Sequence, residues 1–339
     1  MQYTLLSSTF LPELRRQAGS LKKGKLSCQY FVRKLHLEIS PIIEGRCRKA
    51  EGCLKRNMKQ SVVLLILLLL STDLFSQNKQ IIHLWPDKVP GETEAKHPPV
   101  VTENTKGNVT RLTDVTDPAI VVYPAKKENN NGAGVVVCPG GGYNILAIDK
   151  EGYEIAEWLN ELGFSAFVLQ YRVPDKKLGA LQDAQRAIRI VRSKATDWNL
   201  NPDKLGIMGF SAGGSLSARA STMYLVNTYN AIDNVDSISC KPGYSLLIYP
   251  AYLDAGENRS LTPELAVTKD TPATFIFQTA DDRLANSALV YAQALRDAKV
   301  PVELHLLPEG GHGYGMRPGS RAAETWPELA EIWLKLVFN

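Results

Sequence analysis

The feature that most limits how this chain can fold is a short strand that runs directly into a glycine-flanked serine and then into a helix. Lys204-Leu205-Gly206-Ile207-Met208 is mostly apolar and follows the turn residues Asn201-Pro202-Asp203. Gly209-Phe210-Ser211-Ala212-Gly213 comes next, and Ser215-Leu216-Ser217-Ala218-Arg219-Ala220 continues without a helix breaker. A G-x-S-x-G at such a junction places its serine on a sharp turn whose backbone is tight enough to require small neighbours. Taken alone, the pattern also fits an incidental serine in a glycine-rich turn.

The remainder of residues 78–339 suits one large α/β domain. Strand signals fall at 119–123, 134–138, 165–170, 204–208, 245–249, 273–278 and 302–307, and helix signals at 152–161, 181–196, 212–227, 286–299 and 321–337. Several strands are near-continuous Val/Ile/Leu runs, as a sheet covered on both faces requires. Their alternation with helices predicts a mostly parallel central sheet flanked by helices. In the 181–196 helix Ala184, Ala187, Ile188 and Val191 share a face, with Arg186, Arg189 and Arg192 elsewhere. The turn Glu128-Asn129-Asn130-Asn131-Gly132 suggests that the first two strands pair as a hairpin. Four prolines make the 83–99 segment irregular, lying over the domain surface.

Two further segments carry chemistry. Gly134-Val135-Val136-Val137-Cys138 runs into Pro139-Gly140-Gly141-Gly142-Tyr143, where three glycines expose backbone N–H groups. A phosphate-binding loop is disfavoured because no Lys-Ser or Lys-Thr follows. Downstream, a strand ends at Asp281-Asp282, and another leads to Glu309-Gly310-Gly311-His312-Gly313. A serine hydroxyl is a poor nucleophile until an imidazole takes its proton, and the imidazole needs a carboxylate to fix its tautomer. Ser211, an aspartate and His312 stand in that chain order.

These residues, with Tyr171-Arg172-Val173-Pro174 and Gly209–Gly214, resemble the α/β-hydrolase superfamily across about residues 81–339. More narrowly, they resemble bacterial acetyl xylan esterase-like proteins. Hormone-sensitive-lipase-like members usually carry His-Gly-Gly-Gly where this chain has Pro139-Gly140-Gly141-Gly142, which points away from the lipase branch. The resemblance implies an α/β-hydrolase fold with Ser211 as nucleophile and His312 as base. Asp281 is the favoured acid, being first after its strand and matching the prolyl-oligopeptidase-like pattern, with Asp282 a cap or turn residue. The oxyanion hole is assigned to the N–H groups of Gly141, Gly142 and Ala212. No long insertion separates the last strands, so the cap is small or absent, with 252–267 as the rim. Tyr143, Tyr252 and Trp326 are the aromatic candidates for stacking on a sugar.

The front of the chain stands apart. Met58-Lys59-Gln60, the apolar run Val62–Leu70 and the small residues to Gln77 form a signal-peptide pattern. Residues 1–57 read as an over-extended start, because a signal peptide should begin a protein. They hold 12 basic and 4 acidic residues and Cys28, Cys47 and Cys53. The net charge of +4 therefore misleads: setting them aside leaves 27 basic and 31 acidic residues, a balance of −4. Nothing in that balance argues for nucleic acid or an anionic membrane. Cys138 and Cys240 alone make no disulfide framework. His83, His97 and His305 are isolated, no H-E-x-x-H occurs, and no metal or cofactor is expected.

The expectation is a secreted or periplasmic serine esterase cleaving short acyl groups, acetyl foremost, from plant polysaccharide such as xylan. It would have no stable membrane anchor. The alternatives are a serine peptidase of prolyl-oligopeptidase type and a generic carboxylesterase or lipase-like enzyme.

Overall fold

A computed structural model describes residues 79–338. The leader 1–57 and the signal-peptide pattern 58–77 lie outside them. The strands, in chain order, are β1 (Ile81–His83), β2 (Val100–Val101), β3 (Arg111–Thr113), β4 (Ala119–Tyr123), β5 (Gly134–Cys138) and β6 (Leu146–Ala147), then β7 (Ser165–Gln170), β8 (Leu205–Phe210), β9 (Tyr244–Ile248), β10 (Ala273–Thr279) and β11 (Val302–Leu307). The α-helices are α1 (Glu154–Glu161), α2 (Lys177–Ser193), α3 (Ala212–Thr222), α4 (Asn286–Asp297) and α5 (Arg321–Phe338).

Eight strands form one sheet in the order β1-β4-β7-β5-β8-β9-β10-β11. From β7 onward every pairing is parallel; β1 and β4 are antiparallel to their neighbours. Both faces are covered, as the unbroken apolar runs require. Phe275 of β10 meets Trp333 of α5, while Ile276 joins Ala218 of α3 and Tyr291 and Leu295 of α4 on the other side. Successive strand residues point to opposite faces, so each side chain buries against a different layer.

The expected hairpin does not form. β4 and β5 are separated by β7, which pairs antiparallel with β4 and parallel with β5. The asparagine turn instead caps the end of α1: Asn129 Nδ2 donates to the Asn160 and Glu161 carbonyls, and Asn131 N–H to that of Gly163. A second sheet, β2-β3-β6, has strands of two or three residues, too short for periodicity to reveal.

Helix α2 begins four residues earlier than expected and is buried on nearly every side. Arg186, expected off the core face, is 2% exposed. Its guanidinium bridges Asp233 and Asp236 and donates to the Leu84 carbonyl. Asp183 is also fully buried and accepts from Arg172 and from Trp85 Nε1. The 83–99 segment therefore does more than lie over the surface: Leu84, Trp85 and Val89 enter the core. Cys138 and Cys240 are free and buried. Among the described residues no helix is long and apolar enough to cross a membrane.

Candidate active site

The site lies at the C-terminal ends of the parallel strands. β8 ends at Phe210 and α3 starts at Ala212, leaving Ser211 as the single turning residue at φ 52° and ψ −115°. A non-glycine residue held there is strained, and the surroundings must hold it. They do so through its backbone: the Ser211 N–H donates to the Ile248 carbonyl, and its own carbonyl accepts from the Ser215 and Ala251 N–H groups. The flanking glycines are dictated by space. A Cβ on Gly209 would sit 2.0 Å from the Gly213 carbonyl oxygen, and one on Gly213 would sit 2.0 Å from that of Cys138.

His312 reaches Ser211 from the loop after β11. Its Nε2 lies 2.7 Å from Ser211 Oγ, and its Nδ1 lies 2.6 Å from Asp282 Oδ2. An ionised carboxylate at Nδ1 holds the ring proton there and leaves Nε2 free to accept from the serine hydroxyl. The second Asp282 oxygen accepts the Leu284 N–H at 2.9 Å, which fixes the carboxylate's orientation.

The aspartate beside His312 is thus Asp282, and not Asp281 as the sequence suggests. Strand β10 runs one residue further than expected, to Thr279, and the chain then turns, with the Asp282 N–H on the Thr279 carbonyl. The turn returns Asp282 beneath the histidine loop, where it is 6% exposed, and leaves Asp281 on the surface. Asp281 instead braces that loop, accepting from the Gly310 and Gly311 N–H groups just before His312. Those hydrogen bonds from Gly311 and Gly310 hold its carboxyl below the usual carboxylate range.

The triple-glycine loop presents its donors in a way that can be followed peptide by peptide. In a trans peptide the C=O and the following N–H point in opposite directions. The Gly140 carbonyl accepts from Ala147 N–H, and that of Gly141 from Asn144 and Ile145 N–H. The N–H groups of Gly141 and Gly142 therefore point away from that turn, and among the described residues neither has an acceptor in the chain. Ala212 is similar: the Ser211 carbonyl is bound into α3, so the Ala212 N–H projects out of the helix start. Gly140 differs, since its N–H donates to Glu151 Oε2 at 2.8 Å. A Cβ on Gly140 would stand 2.9 Å from Ser211 Cβ, which places this loop against the serine.

Of the three aromatic candidates, only Tyr252 is available to a ligand. It is 38% exposed, and its hydroxyl lies 3.6 Å from where a Gly142 Cβ would be. Lys177 Nζ stands 5.5 Å from its ring centroid. Tyr143 is 1% exposed, its ring between Tyr171 and Tyr252. Trp326 is fully buried against Trp158 and Phe210, with its Nε1 donating to the Gly315 carbonyl. Both are core residues: Tyr143 is packed on Tyr171 and Tyr252, and Trp326 of α5 on α1 and the end of β8. His97, isolated in sequence, has Glu94 and Asp114 ligand atoms within 4.8 Å, on the surface.

Sequence reasoning missed Glu151 and Tyr249. Glu151 is 4% exposed and accepts the Tyr249 hydroxyl at 2.8 Å as well as the Gly140 N–H. Nothing in Asp149-Lys150-Glu151-Gly152 marks one acid as buried; the segment forms a π-helical turn ahead of α1.

Comparison with known proteins agrees with this architecture. Residues 120–242, which include Ser211, match the family model BD-FAE. An acetylxylan esterase of Xylanibacter ruminicola is 34% identical over 237 residues, 62% of this chain. The matched stretch spans 47% of that protein's length. Among solved structures, an acetyl ester-xyloside bifunctional hydrolase from Caldicellulosiruptor lactoaceticus is 31% identical with a TM-score of 0.63, covering 76% of this chain and 96% of that one. MGS-M1, an α/β hydrolase enzyme from a Medee basin deep-sea metagenome library, is 28% identical with a TM-score of 0.54, covering 70% and 96%. With its strand order, its serine elbow and these likenesses, the chain belongs to the α/β-hydrolase superfamily.

Proposed function

We propose that this protein is a serine esterase that removes short acyl groups, acetyl foremost, from a plant polysaccharide such as xylan. The observation that carries the reading is the hydrogen-bonded series Ser211–His312–Asp282 at a strand-to-helix elbow. Ser211 Oγ attacks the ester carbonyl while His312 Nε2 takes its proton. The N–H groups of Gly141, Gly142 and Ala212 receive the negative oxygen of the tetrahedral intermediate. Collapse expels the sugar hydroxyl, to which His312 returns the proton, and leaves an acyl-serine. A water molecule, deprotonated by His312, then releases the acid and frees Ser211. Asp282 keeps Nδ1 protonated throughout and stabilises the imidazolium.

The likeness to an acetylxylan esterase supports acetyl as the acyl group and xylan as the carrier. Tyr252, exposed beside Gly142, is suited to pack against a sugar ring. We place the enzyme outside the cytoplasm on the basis of the apolar run 62–70. The test is acetate release from acetylated xylan, alongside p-nitrophenyl acetate, butyrate and octanoate and an aminoacyl-proline anilide. Activity should fall steeply from acetyl to octanoyl, and Ser211→Ala should lose several orders of magnitude without unfolding. Preference for octanoate would transfer the reading to a lipase-like enzyme, and cleavage of the anilide to a peptidase. A Ser211→Ala variant with normal turnover would end it.

A further inference from the structure

We propose that Glu151 is a positioning residue that sets the oxyanion loop and ties it to the histidine loop. The inference rests on the esterase reading for its catalytic consequence, though not for its structural one. The Pro139–Gly140 peptide leads into the two free donors and is held from both sides. Tyr171 Oη donates to its carbonyl at 2.6 Å, and its N–H donates to Glu151 Oε2 at 2.8 Å. With that plane fixed, the Gly140 carbonyl meets Ala147 and the Gly141 N–H is directed the opposite way. Gly141 itself has φ +137°, a region where the backbone has little to hold it except such contacts.

The other carboxylate oxygen faces the histidine loop. Glu151 Oε1 accepts the Tyr249 hydroxyl at 2.8 Å, and Tyr249 Oη accepts the Gly315 N–H at 3.0 Å. The neighbouring Lys150 Nζ donates to the Gly313 carbonyl at 2.5 Å. Lys150 directly, and Glu151 through the Tyr249 hydroxyl, thus hold residues 313 and 315, just after His312. Tyr249 also stacks edge-on to the His312 ring, with centroids 5.1 Å apart.

A carboxylate suits this position because both partners are donors and only an ionised acid accepts with both oxygens while donating nothing. Packing alone does not call for it, since burying a charge on two hydrogen bonds is costly. Burial does push the Glu151 carboxyl up, while the Tyr249 hydroxyl and the Gly140 N–H act in the opposite direction.

The experiment compares Glu151→Ala, Glu151→Gln and Tyr249→Phe with the wild-type chain by two readouts. The first is hydrogen–deuterium exchange of the segments 139–147 and 310–316. Glu151→Ala should speed exchange in both segments at least about tenfold, with β7 and β10 unaffected. The second is steady-state hydrolysis of p-nitrophenyl acetate per fluorophosphonate-titrated serine. For Glu151→Ala, kcat should fall about 100-fold with KM within about threefold, as for displaced oxyanion donors. Glu151→Gln retains an acceptor for Gly140, so it should lie between wild type and Glu151→Ala by both readouts. If Glu151→Ala does not fold, Tyr249→Phe, which deletes one hydroxyl, carries the same two-segment comparison. Faster exchange in only one segment, or unchanged kcat per titrated serine, would overturn the proposal. A wild-type chain with neither turnover nor phosphonate adduct would instead sink the esterase reading, and exchange would still decide whether the loops are coupled.

Discussion

The two adjacent aspartates allow a sharp test, because one substitution at each position should give very different losses. In Asp282→Asn the new amide is oriented by its surroundings. Its oxygen is held by the Leu284 N–H, which Asp282 Oδ1 now accepts at 2.9 Å. Its NH₂ therefore faces His312 Nδ1, where Oδ2 now sits at 2.6 Å. A donor there favours the ring tautomer with the proton on Nε2, pointing at Ser211 and unable to accept the hydroxyl proton. Such a tautomer error in a Ser-His-Asp arrangement costs roughly 10⁴ in kcat, or about 5.4 kcal/mol of transition-state stabilisation. Shape and packing are nearly conserved, so the melting temperature and KM should change little. Asp281→Asn touches neither Ser211 nor the His312 ring. It weakens exposed hydrogen bonds to Gly310 and Gly311, and its loss of kcat should stay below about tenfold. Purified variants assayed with p-nitrophenyl acetate, with active serines counted by fluorophosphonate, give both numbers. The reasoning is refuted if Asp281→Asn is the more damaging change, or if Asp282→Asn stays within about tenfold of wild type.

Three other outcomes follow from the geometry. Gly141→Ala forces a Cβ to within 2.0 Å of the Ile145 carbonyl oxygen, so the loop must move; kcat should drop about 10²–10³-fold with little change in KM, and a loss confined to KM would count against the oxyanion assignment. Tyr252→Ala should slow acetate release from acetylated xylan by about fivefold to tenfold while leaving p-nitrophenyl acetate within about twofold, and equal losses on both substrates would remove its role in sugar stacking. The Asp281 carboxyl is held below its ordinary value of 3.8 by the Gly311 and Gly310 N–H groups, so its contribution is in place above that value and is lost as pH falls through the folded one; melting temperatures over about pH 2 to 5 should fall less steeply for Asp281→Asn, and parallel profiles would contradict this.

The parallel part of the sheet was legible because burial on both faces demands apolar runs, as in Val135–Val137 and Phe275–Phe277. Ser211 and His312 were legible for a related reason: elbow and loop glycines are forced by space or backbone angle and leave a mark in the sequence. The choice between Asp281 and Asp282 was set by the turn after Thr279, closed by the Asp282 N–H on the Thr279 carbonyl, and neither aspartate type nor strand periodicity reports which residue of such a turn faces inward. Tyr143 and Trp326 misled because aromatic type does not report depth; both ring systems are buried by elements that come from elsewhere in the chain. Glu151 left no sign, since its partners at Gly140 and Tyr249 lie 11 and 98 residues away. The place of β4 beside β7 was likewise hidden in a pairing that only the folded sheet creates.

The buried junction of Trp85 with Asp183 and of Leu84 with Arg186 bears on the order in which the chain can assemble. Those contacts join positions 98 and 102 residues apart. A chain emerging amino end first has nothing for Trp85 to dock on until α2 has followed it. This segment thus precedes α2 in the chain and is secured only after it, since distant contacts wait on closure of the intervening loop. Until then Asp183 has Arg172 as its charged partner, and Arg172 in turn awaits the carbonyl of Pro90. A fragment starting after residue 99 would keep every residue of the serine site and still lack the clasp that seals this corner of the core.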